Sequence, residues 1–281
     1  MVFNDYTHLE KSMSEQDQIE RTSHPITVDS LIHDLQRLGL KHGDTVIVHS
    51  SLSALGWVNG GAIAVIKALL ETVGSEGNLA MPAHSSHISD PANWNQPPVP
   101  ESWIQIIRDT MPVFEPHTTP TREMGQIAEL FRTWPNVFRS HHPSSSFCAI
   151  GPSAEEITKE HVLDDPFGEQ SPLAKLYQLK AKVLLIGVDF NRCTALHLAE
   201  NRAFPNPKLE KEGAPFIENG TRKWVEFYLP EFMNIDEFIP IGTALIDSKL
   251  AMKNKIGEGY GILIDMQLLV DHAVNTWTHS S

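Results

Sequence analysis

The sequence predicts an α/β fold: a central, largely parallel sheet with helices on both faces, plus a smaller antiparallel region in the C-terminal third. Two observations predict it. Thr45-Val-Ile-Val-His49, an apolar-periodic stretch over 61–72 and Asn78-Leu-Ala-Met-Pro82 read as strand, helix and strand. That order is the β-α-β crossover of a parallel pair. Val183-Leu-Leu-Ile186 is a short continuous apolar run bounded by turn residues, the pattern of a strand covered on both faces.

Taken in order, residues 1–24 are polar and patternless, which predicts a flexible N-terminal tail. Pro25 starts the fold. Thr27 or Asp29 can cap a helix carrying Leu31, Ile32, Leu35 and Leu38 at helical spacing, and Gly39 ends it. The strand at 45–49 and a glycine-rich turn lead to the helix at 61–72, with Ile63, Val65, Ile66, Leu69 and Leu70 apolar, and then to the strand at 78–82. Residues 84–120 are proline-rich and irregular, as expected of a loop that shapes a pocket. Helices follow at 125–133, 153–159 and 172–179, the last started by Ser171 as cap and Pro172 in the first turn. Strands are expected at 146–150 and 182–186, and a helix opens near Arg192. Residues 205–260 read as an antiparallel, looser subregion, and a helix over 265–277 ends the chain. Residues 25–281 are thus expected to form a single domain.

Composition narrows the function classes. With 41% hydrophobic and 20% charged residues, the chain reads as an ordinary globular protein. The formal charge of −13, from 22 basic and 35 acidic residues, disfavours nucleic acid and anionic membranes and suits a cationic small molecule. Solubility alone explains such a charge equally well. Cys148 and Cys193 offer no disulfide framework and read as reduced thiols, and no secretory signal or apolar run of membrane-spanning length is visible. A cytoplasmic location is therefore expected.

Four segments hold candidate chemistry. In His49-Ser-Ser-Leu52 and the following turn to Gly61, backbone N–H groups and hydroxyls can cradle a phosphate at a helix N-terminus, although the pattern matches neither a Walker loop nor a dinucleotide motif. A plain tight turn reads equally well. Arg139-Ser140 with His141-His142 suits a phosphate or carbonyl, or is a polar loop feeding a strand. His84 and His87, like the adjacent histidines, have no local third ligand, so no metal is expected; a hydrolase built on His84, His87 and His142 is the alternative. In Asp164-Asp165-Pro-Phe-Gly-Glu169, the acids can meet a cationic substrate or simply be solvated.

The fourth segment runs from Val183 to Glu200. On a helix, His197 shares a face with Cys193, Thr194 and Glu200. Three readings stand side by side: a Cys193–His197 nucleophile pair, His197 alone as general base with an acidic partner fixing its tautomer, or a histidine packed in the core.

In sequence order these segments resemble one family, the aminoglycoside 3-N-acetyltransferases, a group of antibiotic-resistance enzymes. The resemblance runs from about Leu31 to Trp277. It rests on Val48-His-Ser-Ser-Leu with Gly56 and Gly60-Gly61, Pro120-Thr-Arg-Glu-Met-Gly125, Phe131-Arg-Thr-Trp-Pro135, Arg139-Ser and His142-Pro. Further along it rests on Gly168-x-x-Ser-Pro-Leu-Ala-Lys175, Leu185-Ile-Gly187, Thr194-x-Leu-His-x-Ala-Glu200 and Lys255-Ile-Gly257.

The resemblance implies a single acetyltransferase domain that carries an acetyl group from acetyl-CoA to the 3-amino group of a 2-deoxystreptamine ring, by direct transfer and without a metal. It makes His197 the catalytic histidine, with Glu200 and Glu237 as candidate acids. His49, Ser50, Ser51 and Leu52 would lie along CoA, with Arg122, Arg139 and Ser140 near its phosphates or pantetheine arm. Backbone N–H groups or hydroxyls of 50–52 would serve the oxyanion. Asp164, Asp165, Glu169 and Asp236 would face the cationic amine. A homodimer is compatible with such a chain. Two departures from the family pattern are visible. Asn191 and Cys193 precede the Thr-x-Leu-His where members often carry Asp and Asn or Thr, which makes Cys193 a substitution and not a nucleophile. Ile239 stands where an acid is expected, and Asp236 or Glu237 is the nearest replacement.

Overall fold

A computed structural model describes residues 14–279. Helices α1 (Glu15–Arg21) and α2 (Val28–Leu38) lead into β1 (Thr45–Ser50), α3 (Gly61–Val73) and β2 (Asn78–Pro82). Next come α4 (Glu101–Thr110), α5 (Gly125–Phe131), β3 (Phe138–Arg139), β4 (Phe147–Ile150), α6 (Ala154–Lys159), α7 (Pro172–Gln178) and β5 (Lys182–Ile186). The last third holds α8 (Ala195–Ala203), β6 (Leu209–Glu218), β7 (Thr221–Pro230), α9 (Phe238–Asp247), β8 (Met252–Ile256), β9 (Gly259–Asp265) and α10 (Met266–His279).

Seven strands form one sheet in the order β3-β4-β2-β1-β5-β9-β8, and β6 and β7 form a separate hairpin. The α/β class holds, with a narrower parallel part than expected. Parallel pairing is confined to β1 with β2 and β1 with β5, and the remaining pairs are antiparallel. The reason is connectivity. β1 reaches β2 through α3, a helical crossover, whereas β8 joins β9 through the two residues Gly257 and Glu258, and a tight hairpin must reverse direction. Gly257 has φ 56°, and a Cβ there would lie 2.6 Å from the Leu55 carbonyl oxygen, so only glycine closes this turn against the loop after β1.

Strand alternation explains the two covered faces. Val46, Val48, Leu184 and Ile186 point to the layer of α2, α3 and α5. Ile47, Val183 and Leu185 point to the opposite layer of α6 to α10. A third, smaller core of Ile88, Met111, Phe114, Ala214, Phe227 and Leu229 fastens the β6/β7 hairpin to residues 84–120.

Two expectations need correction. Residues 1–13 of the expected tail lie outside the described residues, but 14–24 are not loose. Ser14 and Asp17 form a reciprocal cap on α1; the Trp57 indole donates to Glu15 (3.1 Å), and Trp57 N–H donates to Thr22 Oγ1 (2.8 Å). This segment is therefore docked on the turn that follows β1. Residues 84–120 also contain α4, which starts directly after Pro100. Proline suits a helix entrance because the N–H it lacks has no intrahelical partner there.

Candidate active site

The site is built where β1 and β5 end. Ser51 N–H donates to the Ile186 carbonyl (2.9 Å), which carries the parallel pairing one residue past β1, and Ser53–Leu55 then form a short 3-10 turn. Gly187, with φ 65°, follows β5 so closely that a Cβ would lie 2.3 Å from the Ala54 side chain. Glycine at 187 lets the turn after β5 pass close to the turn after β1, at the carboxyl end of the parallel strands, which is where α/β proteins place their sites. Asp189 caps a second 3-10 turn, Phe190–Arg192, and α8 begins at Ala195, slightly later than expected.

His197 lies in the first turn of α8 and is 9% exposed. Its Nδ1 meets Glu200 Oε2 at 2.9 Å, one helical turn away, and the other Glu200 oxygen accepts from Met233 N–H at 2.5 Å. As a carboxylate accepting at both oxygens, Glu200 places the imidazole proton on Nδ1 and leaves the Nε2 lone pair free. The hydrogen bond of this ring to the described residues is made at Nδ1 and not at Nε2. The ring itself is immobilised: Phe167 stacks on it at 5.0 Å, and Phe232 and Phe238 meet it edge-on at 4.9 and 5.1 Å. Beside Glu200 opens a cleft of about 370 Å³ lined in part by Asn201, Phe204, Glu231, Phe232 and Met233.

The other sequence-derived candidates divide sharply. Cys193 is buried in the core, and burial pushes its thiol up to about 12. A thiol so held is a poor nucleophile, which removes the cysteine–histidine pair. His142 accepts from the N–H groups of Ser144 and Ser145 at Nδ1 and faces the Leu163 carbonyl at Nε2, so both its nitrogens are occupied. Among the described residues no three His, Cys, Asp or Glu side chains are grouped to hold a metal.

Arg139 and Ser140 turn inward. Arg139 donates to the carbonyls of Ala83, Pro116 and Thr119 and to Ser85 and Ser146, while its guanidinium lies 4.9 Å from the Phe114 ring. It bolts the 84–120 segment to the sheet. Ser140 is fully buried, with its hydroxyl on His161 and on Phe147 N–H. Both side chains are committed to partners within the fold. Arg122 is more open, with only a loose contact to Glu123 at 3.9 Å.

Among the acids, Glu169 is held by Arg202, and half-buried Asp165 accepts from the N–H groups of residues 168–170, so it shapes its own loop. Asp164 is exposed. Exposed Asp236 accepts from Asn191 at 3.3 Å, and exposed Glu237 adjoins Phe238, one of the rings on His197. Both are exposed, whereas the acid that touches His197 is Glu200. The three phenylalanines around His197 carry no site signal in the sequence: Phe167 lies among the acids of Asp164-Asp-Pro-Phe, where charge is the dominant pattern.

A fixed imidazole with a carboxylate behind it, at the carboxyl edge of a parallel sheet, is the equipment of an enzyme that moves a proton during catalysis. The chain belongs to the aminoglycoside 3-N-acetyltransferase family, whose sequence model matches residues 47–278. It is accordingly an acetyltransferase by family. One relative, the SPbeta prophage-derived aminoglycoside N(3')-acetyltransferase-like protein YokD of Bacillus subtilis (strain 168), is 47% identical over 91% of this chain and 93% of its own. The crystal structure of YokD superposes with a TM-score of 0.90, covering 94% of this chain and 97% of the other at 45% identity. Aminoglycoside N(3)-acetyltransferase IX of Micromonospora chalcea is 31% identical over 94% of this chain and 97% of its own. The structure described as AAC-IIIb binary with CoASH has a TM-score of 0.81 and 31% identity, covering 92% and 97% of the two chains. No helix among the described residues is long and apolar enough to cross a membrane.

Proposed function

We propose that this protein transfers the acetyl group of acetyl-CoA directly to an amino group of an aminoglycoside, with His197 as general base. The observation that carries this reading is the His197–Glu200 pair, with one ring nitrogen held and the other free. The acceptor binds as its free amine, having lost one proton to solvent. Its nitrogen attacks the thioester carbon while Nε2 of His197 takes the second proton, and Glu200 holds the imidazolium that forms. Collapse breaks the C–S bond, and the thiolate recovers that proton from His197.

CoA is assigned to the strand-end turn of His49, Ser50, Ser51 and Leu52; a relative solved as a binary complex with CoASH supports CoA binding by this fold. Arg122 is the basic side chain still open to its phosphates. The acceptor is assigned to the cleft beside Glu200, which Glu231 also lines, while Asp164, Asp236 and Glu237, exposed and outside that lining, add negative charge that favours a polycation. The resemblance itself favours an altered acceptor over the 3-amino group of 2-deoxystreptamine, because it sets Ile239 where an acid is expected.

The test is thiol release from acetyl-CoA with a panel of aminoglycosides and simple polyamines, followed by location of the acetyl group on the product. Release that depends on an aminoglycoside, with a single N-acetyl group on it, is expected. Release driven equally by any amine contradicts the assigned acceptor class.

A further inference from the structure

Two carboxylates, Glu200 and Glu231, line the cleft assigned to the acceptor, and they are held differently. Glu200 is buried, with one oxygen on His197 Nδ1 and the other on Met233 N–H. Its charge is committed to the imidazole. Glu231 instead meets an ammonium: Lys208 Nζ lies 2.9 Å from its Oε2, and the two side chains are 70% and 40% exposed. Lys208 lines the same cleft.

The hairpin register sets this pair. Leu209 and Pro230 are the last cross-strand partners of β6 and β7, and one step beyond them Glu231 N–H donates to the Lys208 carbonyl at 2.7 Å. The two residues therefore stand opposite each other where the hairpin meets the cleft. Lys211–Glu226 and Lys223–Glu218 are ion pairs of the same kind further along the hairpin, outside the cleft lining. Glu231 is also two residues from Met233, which holds Glu200, a span of at most about 7 Å along the chain.

We infer that Lys208 is a tethered stand-in for the acceptor: its ammonium occupies, on Glu231, the place of a protonated amino group of the cationic substrate, which binds by displacing it. This rests on the acceptor reading given above. The exchange is ammonium for ammonium, so no proton moves and Glu231 keeps a cation throughout. An exposed ion pair is weak, so a polycation that makes further contacts in the cleft outcompetes it. The flexible four-carbon stem of lysine lets Nζ swing into solvent as the acceptor enters. The consequence is a rule for the acceptor. It brings one neutral amine to attack the thioester and a second, protonated one to take Glu231. A compound with a single amine cannot do both, and leaves Lys208 in place.

The experiment is a double-mutant cycle on the full chain: Lys208→Met, which keeps the stem, Glu231→Gln, which keeps the shape, and the two together. The readouts are KM for an aminoglycoside that the wild type acetylates and KM for acetyl-CoA. Lys208→Met is expected to lower the aminoglycoside KM by about two- to fivefold, and Glu231→Gln to raise it by at least about threefold. Within the Glu231→Gln background, Lys208→Met is expected to change nothing, because the lysine then has no carboxylate to vacate. The KM for acetyl-CoA stays at its wild-type value in all three. A damaged fold does not tighten acceptor binding, so the sign of the Lys208→Met effect separates displacement from a structural role. An aminoglycoside KM that is unchanged or higher in Lys208→Met overturns the proposal. So does an equal fall in both backgrounds, which is the effect of removing any positive charge near the cleft. A wild type that acetylates no aminoglycoside is a failure of the underlying function, and is seen before any variant is made.

Discussion

His197→Ala is expected to reduce acetyl transfer by roughly 10²- to 10⁴-fold with little change in CoA affinity. The ring is not a source of CoA contact in this arrangement. Its faces and edges are taken by Phe167, Phe232 and Phe238, and its Nδ1 by Glu200, so only Nε2 is open to the acceptor. Removing the ring removes the proton acceptor and leaves the strand-end turn standing. Glu200→Gln keeps the shape but offers an amide that can donate to Nδ1, which favours the tautomer with its lone pair in the wrong place. A loss of roughly 10- to 10³-fold is expected there, confined to kcat. Steady-state kinetics of the two variants, with CoA binding measured separately, check this. A His197→Ala enzyme within tenfold of wild type removes the general base from the scheme.

Acidification is expected to unfold the protein well before its carboxylates titrate. Burial, joined by the charge of His197, pushes His49 and His84 down to about 3; burial takes His142 to about 4 and His161 well below the ordinary value. The native state therefore keeps these rings neutral, while the unfolded chain protonates them as the pH falls below about 6.5. The unfolded state binds more protons over that interval, so the stability present above pH 6.5 is lost progressively as the pH falls towards 3–4. At the limit of a full shift, each ring contributes roughly 2 kcal/mol of loss between pH 6.5 and 5. Together they are comparable with the whole stability of a typical domain, about 5–15 kcal/mol. Burial raises Glu212 and Asp165, which act in the opposite sense. Urea midpoints measured from pH 8 to pH 4.5 should decline from about pH 6.5 downwards. A midpoint that is flat from pH 7 to 5 contradicts the buried, neutral state of these rings.

Much of the fold was legible because its strands are locally encoded. The run Lys182–Ile186 is β5, and β1, β2, α2, α3 and α7 fall within a residue or two of their expected bounds. Capping residues such as Thr27 and Ser171, and Gly39 at a helix end, are local signals and were read correctly. What was missed depends on partners distant in sequence. Helix α9 contains Pro240 and Gly242, which argue against a helix when read alone. Pro240 falls in the first turn, where its lost N–H is harmless, and a Cβ at Gly242 would lie 2.0 Å from the Phe190 ring. The hairpin β6/β7 had a signal, Asn219-Gly220, both with positive φ as a two-residue turn requires, yet its packing on 84–120 appears only in three dimensions.

The site divides in the same way. His197 and Glu200 lie three residues apart on one helix, so their pairing is written in the spacing. Arg139 and Ser140 sit in a family motif, but a motif residue can hold the scaffold as readily as a ligand. Only the carbonyls of Ala83, Pro116 and Thr119 reveal that Arg139 faces inward. The aromatic cage comes from three separate segments, at 167, 232 and 238, which no periodicity connects.

Direct transfer with His197 as base is tested most simply by counting thiols on rapid mixing with acetyl-CoA, first without and then with an aminoglycoside acceptor. The scheme predicts no burst without acceptor, an unmodified protein mass, and thiol release matched one for one by N-acetylated product once acceptor is added. A burst approaching one thiol per protein in the absence of acceptor, with an acetyl group on the chain, would contradict it.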